Sequence, residues 1–200
     1  MSTSTVAPPA TETTAPPRKR SRLKTIFLTL LGCFVLVVGV VIALASTKPD
    51  VFRVERSITV NAPAEKIRLH IDDLKKWTAW SPFEKLDPDM QRDYSGAESG
   101  VGAKYAWEGD SNIGAGRIEI TESTPEKIAM SLEFLKPMAA KNVAEFTMVP
   151  EGDGTKLTWS MHGPNTFMGK MIQVFLDMDD MCGTPFNEGL TNLKGLAEQK

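Results

Sequence analysis

Residues 127–135 read KIAMSLEFL, a stretch in which apolar and polar side chains alternate. The apolar residues occupy every second position: Ile128, Met130, Leu132 and Phe134. Ser131 and Glu133 fall between them, on the opposite face of an extended chain. A period of two over this length predicts a β-strand with one buried face.

The same pattern recurs on both sides of this stretch. Further strands are predicted at residues 52–60, 91–95, 103–108, 115–122, 142–149 and 155–161. The connections at residues 109–112 (GDSN), 124–126 (TPE) and 151–154 (EGDG) carry turn residues. Short turns between strands of period two predict a curved antiparallel sheet of about seven strands with one apolar face.

The C-terminal residues 167–200 predict a long helix, broken or kinked around Gly183-Thr184-Pro185. Its apolar positions at helical spacing are Met168, Met171, Ile172, Phe175 and Met178 before the break, and Phe186, Leu190, Leu193 and Leu196 after it. We expect this helix to cover the apolar face of the sheet. Methionine side chains are adaptable, so the Met-rich half is either ordinary core or the lining of a cavity.

A turn rich in aromatic residues lies between the first strand and the others. Asn61 and Pro63 are typical of a helix start, and Pro82 ends any helix before it. Trp77, Trp80 and Phe83 follow that first helix closely. Such side chains either plug a core or line the mouth of a cavity.

Residues 26–45 read IFLTLLGCFVLVVGVVIALA, and no charged residue lies between Lys24 and Lys48. As a helix this run would be about 30 Å long, the thickness of a bilayer's hydrocarbon core. Residues 25–46 are therefore predicted to form a transmembrane helix. Basic side chains concentrate just before it, so the positive-inside bias predicts a cytoplasmic N-terminus and a C-terminal part outside the membrane, periplasmic or extracellular.

Two alternatives to a permanent anchor stay open. Ala43-Leu44-Ala45 resembles a signal-peptide cleavage site, and the residues before Cys33 faintly resemble a lipoprotein signal. In front of the apolar run, residues 1–24 are predicted to form a disordered cytoplasmic leader with a basic end.

Charge and composition exclude several classes of function. Residues 1–24 hold five of the 23 basic and one of the 25 acidic residues, which leaves 18 basic and 24 acidic residues after them. An acidic domain without a basic cluster argues against a nucleic-acid partner. Two histidines and one cysteine outside the membrane run fall short of a zinc site. Asp177, Asp179 and Asp180 lack the Gly and the distal Glu of an EF-hand loop, so no metal and no cofactor is predicted.

Catalytic residues are equally hard to find in the sequence. His70 and His162 have no Asp or Ser partner nearby in sequence, and Cys182 has no nearby base. Glutamates on the strands fall on the polar face, where they are expected to meet solvent. No catalytic residue is therefore predicted.

Several motifs together carry a family resemblance. They are Ile58-Thr59-Val60-Asn61-Ala62-Pro63, the turn from Trp77 to Phe83, Gly100-x-Gly102, Trp107-Glu108-Gly109, Gly114-x-Gly116, Phe134-x-x-Pro137, Asp177-Met178-Asp179 and the tail Phe186-Asn187-Glu188-Gly189-Leu190-x-x-Leu193-Lys194. In this order they resemble the polyketide cyclase/dehydrase branch of the START-like (SRPBCC, Bet v1-like) superfamily. The resemblance covers residues 51–200 and implies an α+β helix-grip fold with a hydrophobic cavity between sheet and helix. It implies no particular reaction, because one fold hosts many functions.

These observations predict a single-pass membrane protein whose domain binds a hydrophobic small molecule or lipid. The expected cavity residues are Trp77, Trp80, Phe83, Tyr105, Trp107, Ile118, Ile120, Met130, Leu132, Phe134, Phe146, Trp159, Met171 and Phe175. Two alternatives use the same fold. One is a cyclase-like or hydrolase-like enzyme, and the other is a protein-interaction module whose cavity has collapsed.

Overall fold

The computed structural model describes residues 20–176 and 178–199. Within this part, seven strands form an antiparallel sheet: β1 (Val51–Val60), β2 (Gln91–Gly96), β3 (Ala103–Glu108), β4 (Ala115–Ser123), β5 (Lys127–Lys136), β6 (Ala140–Glu151) and β7 (Gly154–Pro164). The strand order is β1-β7-β6-β5-β4-β3-β2. Strands β2 to β7 therefore form a meander, and β1 closes the sheet on β7. The predicted helix-grip fold is confirmed.

Strand β5 shows how the alternating sequence builds the sheet. Met130 lies opposite Ile120 of β4 and Ala144 of β6, and all three side chains are buried. Glu133, on the other face, forms ion pairs with Arg117 and Lys141. One face of the sheet therefore packs against the helices, and the other carries charge pairs.

The segment between β1 and β2 folds against the apolar face. It contains α2 (Ala64–Ile71) and two short 3₁₀ helices at Leu74–Ala79 and Pro82–Lys85. The indole N–H groups of Trp77 and Trp80 donate to the carbonyls of Ile71 and His70, each at 3.0 Å. These bonds satisfy the polar atoms of both rings, so the rings can be buried without an unpaired donor.

The C-terminal helix differs from the expectation in where it is interrupted. The chain forms α3 (Phe167–Ile172), leaves the helix, and then forms α4 (Met178–Ala197), which continues through Gly183-Thr184-Pro185. Of the break or kink predicted at these three residues, the break is absent. A β-carbon at Gly183 would collide with the guanidinium of Arg56, which is itself paired with Asp179 at 2.7 Å. Glycine is therefore used here for close packing of α4 on β1 and does not end the helix.

Helix α3 is held by a different set of contacts. Lys170 pairs with Asp50 at 2.6 Å, and the Asn165 side-chain amide donates to the Pro49 carbonyl at 3.0 Å. Helix α3 is thus tied to the residues just before β1, whereas α4 is tied to Arg56 within β1.

The chain divides into two compact units between Ala43 and Leu44. Helix α1 (Arg20–Ser46) begins five residues before the predicted transmembrane segment, so residues 20–24 are helical. Arg and Lys favour helix, which accounts for this extension. Its segment Arg22–Ser46 is long and apolar enough to cross a membrane, a test that a signal sequence also passes. Residues 1–19 of the predicted leader lie outside the described part.

Candidate functional site

A cavity of about 140 Å³ lies between the sheet, the 3₁₀ helices and α4. Its wall is mostly apolar and draws on strands β3 to β7, so the curved sheet and the covering helix build it together. The lining residues are Trp77, Ser81, Phe83, Glu84, Met90, Tyr105, Trp107, Ile113, Ile118, Leu132, Phe134, Ala144, Trp159, Met161, Cys182 and Phe186.

The structure brings eight of the predicted cavity residues to this wall. They are Trp77, Phe83, Tyr105, Trp107, Ile118, Leu132, Phe134 and Trp159. The short aromatic turn and the apolar faces of four strands (β3, β4, β5 and β7) therefore meet around one space.

Six predicted residues lie elsewhere. Trp80, Ile120, Met130 and Phe146 are fully buried in the packed core and do not border the cavity. The Trp80 ring meets the rings of Phe146 and Trp159 at centroid distances of 5.9 and 5.5 Å, which fills the space that these side chains would otherwise line.

Met171 and Phe175 are displaced for another reason. Because the chain leaves the helix after Ile172, this segment does not run over the sheet as α4 does. Met171 is half-buried outside the cavity wall, and Phe175 is 73% exposed.

The aromatic wall next to α4 is tightly packed. The Trp159 ring stacks on Phe186 with centroids 4.1 Å apart and an interplanar angle of 4°. A β-carbon at Gly189 would lie 2.8 Å from the Trp159 ring and 3.1 Å from Pro82. A glycine at this position lets α4 approach β7 closely. In the sequence Gly189 is simply another position of the predicted helix, so this packing role was not predicted.

Three polar residues from separate elements form a cluster, and we call them the Glu84 triad: Glu84 and Tyr105, which border the cavity, and Arg92, which does not. Glu84 lies on the second 3₁₀ helix, Arg92 on β2 and Tyr105 on β3. The Tyr105 hydroxyl donates to Glu84 Oε1 at 2.7 Å, and Arg92 Nε donates to Glu84 Oε2 at 2.8 Å. The Glu84 side chain is only 5% exposed, so these two donors are what make its burial tolerable.

The triad has a clear electrostatic consequence. Burial, and then the hydrogen bond to Glu84, raise the pKa of Tyr105 far above its ordinary value, so its hydroxyl stays protonated. The hydrogen bond to Glu84 also raises the pKa of Arg92. The Tyr94 ring stacks on Tyr105 with centroids 5.0 Å apart and holds the phenol in place.

Sequence reasoning did not propose the triad or the other polar lining residue, Ser81. Glu84 and Ser81 stand beside the aromatic turn that was singled out, but a glutamate after a proline is ordinary on a protein surface. Only the contact with Tyr105, 21 residues further along the chain, marks Glu84 as a cavity group.

Cys182 and His70 do not form a catalytic pair. Burial, with the carboxylate of Asp179 nearby, raises the pKa of the Cys182 thiol, which therefore stays protonated at the cavity wall. Burial, with Lys76 nearby, lowers the pKa of His70. Among the described residues no group of three His, Cys, Asp or Glu side chains is placed to hold a metal ion.

The sequence profile of the family described as "Polyketide cyclase / dehydrase and lipid transport" matches residues 51–198. The chain belongs to this family. Membership in the polyketide cyclase/dehydrase and lipid transport family confirms the resemblance that the sequence motifs indicated. The family description combines cyclase chemistry with lipid transport, so hydrophobic ligand binding and a cyclase role are the two functions it indicates. Among curated proteins, no sequence matches this chain.

Solved structures share the family's fold at low sequence identity. A protein from Chromobacterium violaceum is 17% identical with a TM-score of 0.53, over 76% of this chain and 100% of its own. The Aha1 dimer from Colwellia psychrerythraea is 16% identical with a TM-score of 0.52, over 74% of this chain and 96% of its own. BexL, a di-domain ARO/CYC protein from the BE-7585A biosynthetic pathway, is 13% identical with a TM-score of 0.56, over 80% of this chain and 54% of its own. Likeness at this level of identity shows a common fold.

Proposed function

We propose that the domain binds a hydrophobic small molecule or part of a lipid in the cavity between the sheet and α4. The observation that carries this proposal is an apolar space of about 140 Å³ enclosed by aromatic and aliphatic side chains from β3 to β7 and α4. A cavity of about 150 Å³ in an apolar protein core holds a molecule the size of benzene. The space therefore fits one ring or the end of a chain, and the rest of a larger ligand would extend out of it.

We further propose that α1 anchors this domain in a membrane. The length and apolar character of Arg22–Ser46 support a spanning helix. The basic side chains before residue 26 support a cytoplasmic N-terminus, with the domain on the outer side. Cleavage after Ala45 would instead release residues 46–200 as a soluble product.

Native mass spectrometry of the fragment comprising residues 48–200, purified without detergent, tests the binding proposal. We expect part of the wild-type fragment to carry an apolar molecule from the expression host. Ala144→Trp places a large side chain at the cavity wall and is expected to abolish the added mass. Ala140→Trp, at an exposed position of the same strand, is the matched control and is expected to retain it. If wild type carries no ligand and binds no added apolar probe, the proposal fails.

Cyclase-like chemistry is a second candidate, favoured by the buried carboxylate of Glu84 at the cavity wall. Binding alone does not need a charged group in an apolar cavity, whereas acid–base catalysis does. A polyketide-type substrate that is bound but turned over only when Glu84 is intact would support the enzyme. If wild type and a Glu84 variant bind the substrate equally and wild type does not turn it over, the enzyme is excluded and the binding function remains. The open cavity argues against the interaction module, which required a collapsed one.

A further inference from the structure

The hydrogen-bonding capacity of the cavity wall is unequal between donors and acceptors. Three tryptophans border the cavity, and the indole N–H groups of two are already used: Trp77 donates to the Ile71 carbonyl at 3.0 Å, and Trp107 donates to the Ile113 carbonyl at 3.3 Å. The third is Trp159, whose indole N–H makes no hydrogen bond to another described residue and stays available as a donor. A bound ligand therefore finds one free indole donor at this wall.

The Glu84 triad shows the same imbalance. Its phenol donates its single proton to Glu84, and Arg92 Nε donates to the other carboxylate oxygen. Arg92 does not border the cavity: its Nη1 donates to the carbonyls of Pro88 and Met90, and its Nη2 donates to the Glu84 carbonyl at 3.5 Å. What remains is acceptor capacity, because each carboxylate oxygen and the phenol oxygen keep unused lone pairs. Ser81 adds one hydroxyl that can donate as well as accept.

We propose that the natural ligand is a neutral hydrophobic molecule carrying a hydroxyl group, which donates a hydrogen bond to Glu84 or to the Tyr105 oxygen. This inference rests on the proposed binding function and names the chemical class of its ligand. The hydroxyl belongs to a phenol or to an alcohol, since both present the same donor.

The same wall selects against hydrophobic acids. A ligand carboxylate beside Glu84 would place two negative charges in an environment from which water is largely excluded. The charge of Arg92, 2.8 Å from Glu84 Oε2, reduces this repulsion, but Arg92 does not border the cavity and so gives a ligand carboxylate no direct partner. Fatty acids and aromatic carboxylates are therefore expected to bind poorly, although their apolar parts fit the cavity as well as those of the matching alcohols.

Three probes of nearly equal size test this inference: para-propylphenol, propylbenzene and para-propylbenzoate. The full chain in lipid nanodiscs is titrated with each probe while tryptophan emission is followed, since Trp77, Trp107 and Trp159 border the cavity. Nanodiscs without protein give the background from partitioning into lipid. We expect the phenol to bind about tenfold or more tightly than propylbenzene, because a hydrogen bond to a charged acceptor contributes that much. The benzoate should bind more weakly than propylbenzene.

Two substitutions identify the groups responsible. Glu84→Gln removes the charge and introduces an amide donor, so we expect it to weaken the phenol and to strengthen the benzoate by about tenfold, with propylbenzene unchanged. A gain in benzoate affinity does not arise from misfolding. Tyr105→Phe should weaken only the phenol. The matched control is Glu108→Gln, at an exposed ion pair with Lys136, and it should leave the order of the probes unchanged.

The outcomes separate this inference from the function on which it rests. If no probe binds the wild-type chain, the proposed binding function fails. If the benzoate or propylbenzene binds as tightly as the phenol, the ligand class is wrong and the cavity remains. If Glu84→Gln does not fold, the order of the three probes on wild type decides by itself.

Discussion

Filling the cavity from β6 distinguishes an open space from a packed core. Ala144 is 5% exposed, borders the cavity and lies opposite Met130 and Met161 on the neighbouring strands. We expect Ala144→Trp to leave the fragment of residues 48–200 folded, because the indole enters space that no protein atom occupies. The same substitution should displace an apolar ligand.

The structure sets the size of the effect. A void costs about 24 cal/mol per Å³, so filling a cavity of about 140 Å³ stabilises by at most roughly 3 kcal/mol. Overpacking a filled core costs about 1–3 kcal/mol instead. The free energy of unfolding of Ala144→Trp should therefore equal or exceed that of wild type. Ala197→Trp, at a buried position of α4 away from the cavity, should lower it by about 1–3 kcal/mol.

Urea denaturation followed by circular dichroism measures these free energies, and titration with the neutral dye Nile red measures occupancy of the cavity. Wild type and the surface variant Ala140→Trp should bind the dye saturably, and Ala144→Trp should not. Equal destabilisation by Ala144→Trp and Ala197→Trp, together with no dye binding by wild type, would refute an open cavity.

Three further outcomes follow from the fold and the site. Met130→Ala, in the filled core, should lower the free energy of unfolding by about 2–5 kcal/mol. Leu132→Ala, two residues further along β5 at the cavity wall, should lower it less and should alter dye affinity. Urea denaturation compares the two variants, and equal losses of stability would contradict the distinction between core and cavity wall. The pKa of Tyr105 is raised in the folded state, so its contribution to folding stability is fully present below the unfolded pKa of about 10 and should decrease as the pH rises above that value. Tyr105→Phe should reduce this decrease. Identical plots of stability against pH for the two proteins would count against the buried hydrogen bond to Glu84. Alkaline phosphatase fused after Lys200 should be active in a bacterial host, and an inactive fusion beside a fluorescent cytoplasmic reporter would reverse the topology.

The strand faces were predictable because a β-strand has a side-chain period of two. Met130 and Leu132 share one face for that reason, yet only Leu132 borders the cavity. Met130 is fully buried between Ile120 and Ala144 of the neighbouring strands, whereas Leu132 faces the open space. A period of two assigns a side chain to one face of the sheet but contains no information about what covers that face.

The interruption of the C-terminal helix was misplaced for a related reason. Gly183 and Pro185 weaken a helix locally, but packing against Arg56 uses the glycine and keeps α4 continuous. The observed interruption follows Ile172, where α3 is held by Lys170 and Asn165 to residues 49–50. Those ties join positions more than a hundred residues apart and leave no local signature.

By itself the sequence determined the apolar run before the domain, the alternating strands, the aromatic turn and the family, since each is written in neighbouring residues or in their order along the chain. Only the tertiary structure decided which apolar side chains border the cavity, and that Glu84 and Tyr105 meet there with Arg92 bonded to Glu84. Arg92 and Tyr105 lie 8 and 21 residues from Glu84, on three separate elements. Hydrogen bonds between distant elements depend on how those elements pack, and composition and periodicity describe only the elements themselves.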